Sequence, residues 1–540
     1  MAKLRVAVVG SGVSGLAATW LLNGLPDYEV HLFEADSRPG GHANTVTYSP
    51  PGLEPADIVF NPSTYPNFIS FLKDYPDLAE RILPTEMTFA VSRDMGAFEW
   101  AGNNLMTVFC QPSRLLDPNM WRLIYDVLRF NANAQKLLLE LEKAGPQDDE
   151  VSIGDYLEQF GYSDSFRDNY LIPMTAAIWS TPPDKCALDF PARTLIQFMY
   201  NHHLLQVTGK PSWLTLRGGS RTYVKRIISG LPASQLHLST PIKAVKSIPV
   251  YNNSQKTHRV ELTTASGETL PFDHVILACH SDTIVEILNA GGGMTPEEAR
   301  ILESFKWNRN EAVLHSDKRL MPVSRLAWSC WNYLTKSVTD SAGRYLPNVN
   351  QVSLYSQRHS WLTALHLPDW MNELQHLPME KHGPVLVTLN PPFDPAPELE
   401  FGRYKYDHPV LSGEAIRAQS EIPSIQRTRG ISYAGAWLKY GFHEDGFTSG
   451  LRAAAALLPS AQLALLPFPI ADADRRPAAS VIWLARAFAL FEASGAPVLL
   501  GALFVWCLAI VRGVLGRLGV DLRHLEAGPA RAQAEKRKQA

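Results

Sequence analysis

The chain has 540 residues, 46% of them hydrophobic and 19% charged, with a formal net charge of −3. That gives room for two or three structural units and a large core, and so balanced a charge offers no electrostatic case for nucleic acid. The five cysteines (Cys110, Cys186, Cys279, Cys330, Cys507) are scattered without a CxxC pair, so neither a zinc site nor a disulfide framework is indicated and a reducing compartment fits.

The N-terminal "LRVAVVG" is a continuous apolar run suited to a parallel strand buried on both faces. "GLAATWLLNGL" follows with apolar residues at helical spacing, and "YEVHLFEA" is a second buried strand ending at Glu34. This is a βαβ start with no signal-peptide character. Asp117 and Pro118 read as the N-cap and first position of a helix running towards Gly145, and a second helical block covers about residues 152–205. Strand-like alternation returns in "SQLHLSTPIKAV" and "HRVELTTA", then "FDHVILACH". "ISYAGAW" is a last strand and "FTSGLRAAAALL" starts a helix.

Gly10, Gly12 and Gly15 have the GxGxxG spacing between a strand and a helix. The first permits a tight turn, the second lets backbone approach a pyrophosphate, and the third lets helix and strand pack closely. Glu34, at the end of the next strand, is placed to accept hydrogen bonds from ribose hydroxyls. Val13 and Ser14 lie in the same turn, and Ala35 follows the acid.

Next comes "EADSRPGGHANT", with Arg38, Gly40, Gly41 and His42. It resembles the RxGG segment of the flavin-containing amine oxidase superfamily. Further pieces resemble that superfamily in order: the pair Gly218–Gly219, the strand starting at Ile242, and the closing "YAGAW…GFTSGLRAAAAL" with Gly435, Gly446 and Phe447. A closer resemblance is to a branch associated with cyclopropane-fatty-acid synthases. It rests on His42–Thr45, Asn61 with Thr64–Pro66, Asn169–Met174, Asn201–Leu205, Gly218–Val224, His315–Asp317, Val387–Asn390, Tyr406–Val410 and Tyr440–Gly446. The resemblance implies an α/β fold: a doubly wound FAD-binding Rossmann-like domain over 1–60, 212–295 and 425–460, and a discontinuous substrate domain of mixed sheet and helices over 61–211 and 296–424. It also implies non-covalent FAD, held by Gly10, Gly12, Val13, Ser14, Gly15, Glu34, Ala35, Arg38, Gly40, Gly41, His42, Ile242, Gly435, Gly446 and Phe447.

The sequence departs from the superfamily in four places. His42 replaces an arginine, Ala436 stands where an acid is common, and Glu54 and Ala56 replace a DxG form. No lysine occurs between Lys306 and Lys318, where amine oxidases place one near the flavin. Chain order makes His443, His315 and His280 the acid–base candidates, with Tyr440, His202, Trp179, Gly218 and Gly219 facing substrate. Glu444 and Asp445 suit helix N-terminal capping, and three consecutive polar residues do not converge on a metal.

Residues 461–478 read as a linker, 479–515 as a membrane-associating helical tail and 516–540 as a basic tail. "ASGAPVLLGALFVWCLAIV", Ala493–Val511, carries no charge, long enough to cross a bilayer. These features lead to a membrane-associated enzyme with a cytosolic catalytic domain, transferring hydride from a lipid- or polyene-like substrate to flavin N5 in desaturation or double-bond isomerisation. The alternatives are an oxygen-dependent amine oxidase and a non-catalytic flavoprotein partner of a lipid-modifying methyltransferase.

Overall fold

A computed structural model describes residues 3–46, 59–144, 151–179, 188–206, 209–252, 255–335, 338–339, 345–346 and 367–517. Glu54, Ala56, Cys186 and most of the basic tail therefore lie outside the described residues. The chain divides into two compact units: Met1–Thr85, Pro211–Arg309 and Tyr406–Ala473 in the first, and Glu86–Lys210, Asn310–Lys405 and Asp474–Ala540 in the second. The first boundary falls later than residue 60 because Pro66–Asp74 packs its buried Phe68, Phe71 and Leu72 into the first unit's core, and the last segment starts earlier than residue 425.

The first unit is built on a five-stranded parallel sheet, in the order Ile431–Tyr433, His274–Leu277, Leu4–Val9, Tyr28–Phe33, Leu236–His237. Val6, Ala7 and Val8 are fully buried, as a central parallel strand covered on both faces requires. Ala7 joins one hydrophobic cluster while Val6 and Val8 join another, one on each face of the sheet. The helix Val13–Asn23 covers one face beside the late helix His443–Ala455. A three-stranded antiparallel sheet, with Ile242–Asn252 and Thr269–Phe272 flanking Gln255–Thr264, contributes to the other core.

The second unit holds the helix Pro118–Ala144, which starts as the Asp117–Pro118 pair predicts: Asp117 accepts from the Asn119 N–H at 3.0 Å. The helical block that follows includes a π-helical turn, Arg167–Leu171. A seven-stranded mixed sheet runs in the order Glu400–Val410, Lys306–His315, Leu386–Leu389, Leu367–Trp370, Trp331–Thr335, Phe89–Arg93, Phe98–Ala101.

The expected linker is tied down at both of its ends. In the first unit Asn67 exchanges hydrogen bonds with the backbone of Ala471, at 2.8 and 2.9 Å. In the second, Asn201 donates to Asp474 and accepts from the Arg475 N–H. The apolar tail is two helices, Val481–Ala493 and Ala496–Arg517, broken at Gly495 with its φ of +71°. The second is long and apolar enough to cross a membrane, and little of it is buried. Glu492 of the first helix pairs with Arg129 at 2.5 Å and accepts from Tyr125.

Candidate functional site

The glycine turn leaves the end of the strand Leu4–Val9 and opens the helix Val13–Asn23. At Gly10 (φ +100°) a Cβ would stand 2.8 Å from the Ala278 carbonyl oxygen, and at Gly15 it would stand 1.8 Å from that of Gly10. Gly12 is different. Among the described residues, a Cβ there would meet nothing within 4 Å, which leaves open space above it. Gly41 lies over this turn, its own Cβ position 3.1 Å from the Gly12 Cα. The loop is held by the Gly40 N–H, which donates to the Ser11 carbonyl at 3.1 Å, and by Arg38, which donates to the Gly41 carbonyl at 2.9 Å.

Glu34 turns back on the same loop. Its carboxylate accepts from the Ser11 N–H at 2.8 Å, from the Ser11 hydroxyl, and from the Asp36 N–H at 2.9 Å. A carboxylate has about four lone-pair sites, so these contacts leave capacity for ribose hydroxyls while fixing the turn. Ala35 is exposed beside it, whereas the Ile242 side chain is buried in the core and leaves only its backbone to face a ligand.

The closing strand–loop–helix brings a second helix N-terminus beside the first. Gly446 is inside the helix, and its Cβ position would be 2.5 Å from a Val13 methyl; that of Gly450 would be 2.0 Å from the Ser14 carbonyl oxygen. Gly446 therefore serves helix–helix packing. Gly435 is required because the Trp437 ring occupies its Cβ position, 2.1 Å away. Phe447 is fully buried against Phe68 and Phe71, so its side chain belongs to the core.

His443 is enclosed by aromatic rings. Its Nε2 is 2.8 Å from the Tyr223 hydroxyl, and its ring lies 4.4 Å from that of Phe68. Burial pushes its imidazole down to about 3, and its buried Nδ1 has no hydrogen-bond partner among the described residues. Neighbouring Glu444 does not cap its own helix. It accepts the N–H groups of Asn67 at 2.8 Å and Phe68 at 3.0 Å, capping the separate helix Pro66–Asp74. Asp445 caps the helix it belongs to, accepting from the Phe442 N–H at 3.0 Å.

Of the other sequence candidates, His315 is fully buried, with Nε2 2.6 Å from the Thr388 hydroxyl and Nδ1 accepting from the Asp317 N–H. With both ring nitrogens occupied inside the second unit, it is a structural histidine, which corrects its acid–base candidacy. Trp179 packs on Phe190 and Phe198, and His202 stacks on Phe198 with its Nδ1 3.0 Å from the Phe198 carbonyl. Both do packing work. Gly218 and Gly219 adopt φ of +84° and +74° before the helix Arg221–Ser229, whose first N–H donates to Thr45 at 3.0 Å. That contact ties the start of this helix to the segment after the double-glycine loop. Tyr440 lies partly buried in the closing loop, with Lys439 over its ring.

His280 stacks on Trp307 with ring centroids 3.8 Å apart and stands 5.7 Å from His42. His42 is also 5.6 Å from His408 and 5.0 Å from Tyr406. The place of His408 and Tyr406 in this group was not assigned from sequence; the "YKYDHPV" motif that carries them was the available signal.

A parallel sheet, a glycine turn with open space above it and two adjacent helix N-termini define a dinucleotide-binding flavoprotein fold. The chain belongs to the flavin-containing amine oxidoreductase family, whose model matches residues 13–314. It is an FAD-dependent oxidoreductase. No curated protein matches it in sequence. Solved structures share the fold. A cofactor-binding variant of putrescine oxidase is 15% identical with a TM-score of 0.55, over 84% of this chain and 98% of that one. A fatty acid isomerase of P. acnes that produces CLA is 12% identical with a TM-score of 0.52, over 84% and 99%. Cyclohexylamine oxidase of Brevibacterium oxydans is 14% identical with a TM-score of 0.52, over 84% and 98%.

Proposed function

We propose that this oxidoreductase acts on a hydrophobic, acyl- or polyene-like substrate, desaturating it or moving a double bond, while its C-terminal helices attach it to a bilayer. The observation that carries this reading is the uncovered apolar surface of the two C-terminal helices, where Trp483, Leu490, Val498, Leu499 and Trp506 are each more than half exposed. An exposed apolar surface of that kind marks a contact site, and a bilayer is the partner its length and composition fit. The strand Lys306–His315 supports it too, since it carries no lysine beyond Lys306. The fold shared with a fatty acid isomerase is consistent with lipid chemistry but does not select it.

In this reading FAD is held without a covalent bond and accepts hydride from carbon. The chain's residues bind and orient it: the turn Gly10–Gly15 and the first N–H groups of the helix Val13–Asn23 face the pyrophosphate, and Glu34 faces the ribose. The Arg38–Gly41 loop closes over the turn.

The test is anaerobic incubation of the purified flavoprotein with lipid extract, following flavin absorbance near 450 nm and products by mass spectrometry. Bleaching, or a lipid whose double bonds have moved, supports the reading. An unchanged flavin and unchanged lipids, with peroxide released from simple amines in air, overturn it in favour of amine oxidation. Deleting Val481–Ala540, which removes both helices, should release the protein from membranes and leave flavin bound; unchanged membrane association would rule out the attachment.

A further inference from the structure

Three imidazoles converge where three glycine turns meet in the first unit. His42 directly follows Gly41, which lies against Gly12. His280 is two residues past Ala278, whose carbonyl abuts Gly10. His408 precedes Pro409, which fills the space beside Gly441 at 3.2 Å from that residue's Cβ position. The rings of His280 and His408 stand 5.7 and 5.6 Å from that of His42, which is the hub. The His42 side chain keeps an exposed surface, although enough protein surrounds it to suppress its protonation.

We propose that His42, His280 and His408 together form the cationic contact for the pyrophosphate of FAD, and that binding FAD draws a proton from solution onto this cluster. The inference rests on the assignment of the glycine turn to that cofactor. It also explains how a histidine serves where the resemblance leads one to expect a permanently charged arginine.

The electrostatics of the free protein leave the cluster neutral. Burial pushes His42 down to about 3, with the charges of His408, His280 and Arg38 acting in the same direction. Burial likewise pushes His408 down to about 4, with His280 adding to the effect. His280 is lowered by burial against the opposing pull of Asp282 and Asp407. Tyr406 packs on His42 and Trp307 on His280. A doubly negative pyrophosphate beside the hub reverses the balance, because an opposite charge within about 4–6 Å favours the protonated imidazole. Mutual repulsion among the three rings limits the uptake to about one proton, shared by the group.

The experiment is calorimetric titration of the deflavinated full-length protein with FAD, in buffers of different ionisation heat and at several pH values. Proton uptake should grow as pH is lowered from about 7 towards about 5, approaching one proton, and affinity should tighten by up to about tenfold per unit of pH lowered, since the bound state holds more protons. His42→Arg should bind FAD with little uptake and a flat pH dependence. If that variant does not fold, His408→Asn, which removes one sharing ring, should lower the uptake instead. FAD binding without proton uptake, or with the same uptake in the variant, overturns this inference alone. No FAD binding at all sinks the cofactor reading with it.

Discussion

Two glycine-bearing helix starts sit side by side in the first unit, and their glycines do opposite things. At the N-terminal turn, Gly12 has nothing within 4 Å of its Cβ position, so its lack of a side chain leaves room for a ligand. At the closing helix, Gly446 and Gly450 have Val13 and Ser14 in that position, at 2.5 and 2.0 Å. Their lack of a side chain lets one helix press against the other. A glycine motif thus acquires its meaning from what occupies the place of the missing methyl. One start keeps open space and the other is packed against it.

The largest effects break this comparison directly. Gly450→Ala drives a methyl into helix backbone and should cost about 3 kcal/mol or prevent folding, read as a lowered unfolding midpoint or loss of soluble protein. Gly12→Ala should do the reverse. Its φ of −58° suits alanine and its surroundings are open, so the fold should persist while flavin content falls. A Gly12→Ala protein that unfolds but a Gly450→Ala protein that does not would invert the two roles.

The acids of "HEDG" sharpen the same contrast at smaller magnitude. Glu444→Ala leaves the buried N–H groups of Asn67 and Phe68 without acceptors and should cost about 2–4 kcal/mol. Asp445→Ala removes an ordinary cap worth about 1 kcal/mol. Equal losses from the two would mean that Glu444 is no more than a surface cap.

Glu444 also predicts a pH dependence. Burial pushes its carboxyl up to about 8, above the ordinary value of 4.5, with the backbone N–H groups of Asn67 and Phe68 opposing the shift. The folded state therefore holds its proton more tightly than the unfolded chain. Its contribution is fully present below about pH 4.5 and is lost as pH rises through about 8. The stability of the parent protein relative to Glu444→Gln should fall across that window. A pH-independent difference, measured by unfolding at matched ionic strength, would show that the carboxyl is ionised throughout.

The βαβ start was legible because its signal is local: a strand apolar at every position, turn glycines, and an acid at the next strand end. The helix from Pro118 was legible for the same reason. The late helix begins at His443, four residues before the Phe447 start its apolar run indicates, because packing against Val13 holds Gly446 inside a helix that propensity alone would not extend. His315 and Glu444 show what chain order withholds. The partners that decide their roles, Thr388 and the Asn67–Phe68 backbone, lie 73 and more than 370 residues away.

The smallest predicted effect concerns His443, the one member of the triplet for which both a chemical and a packing role were conceivable. The structure surrounds it with Phe68, Tyr65 and Tyr223, and gives it one hydrogen bond, to the Tyr223 hydroxyl. Tyr223→Phe removes that bond while keeping the ring, at a cost of about 1 kcal/mol. If His443 only fills the space between two helices, flavin absorbance and the rate of flavin reduction by substrate should stay as they are. A changed reduction rate with unchanged stability would instead mean that Tyr223 orients His443 for chemistry. The second helix start would then do more than prop up the first.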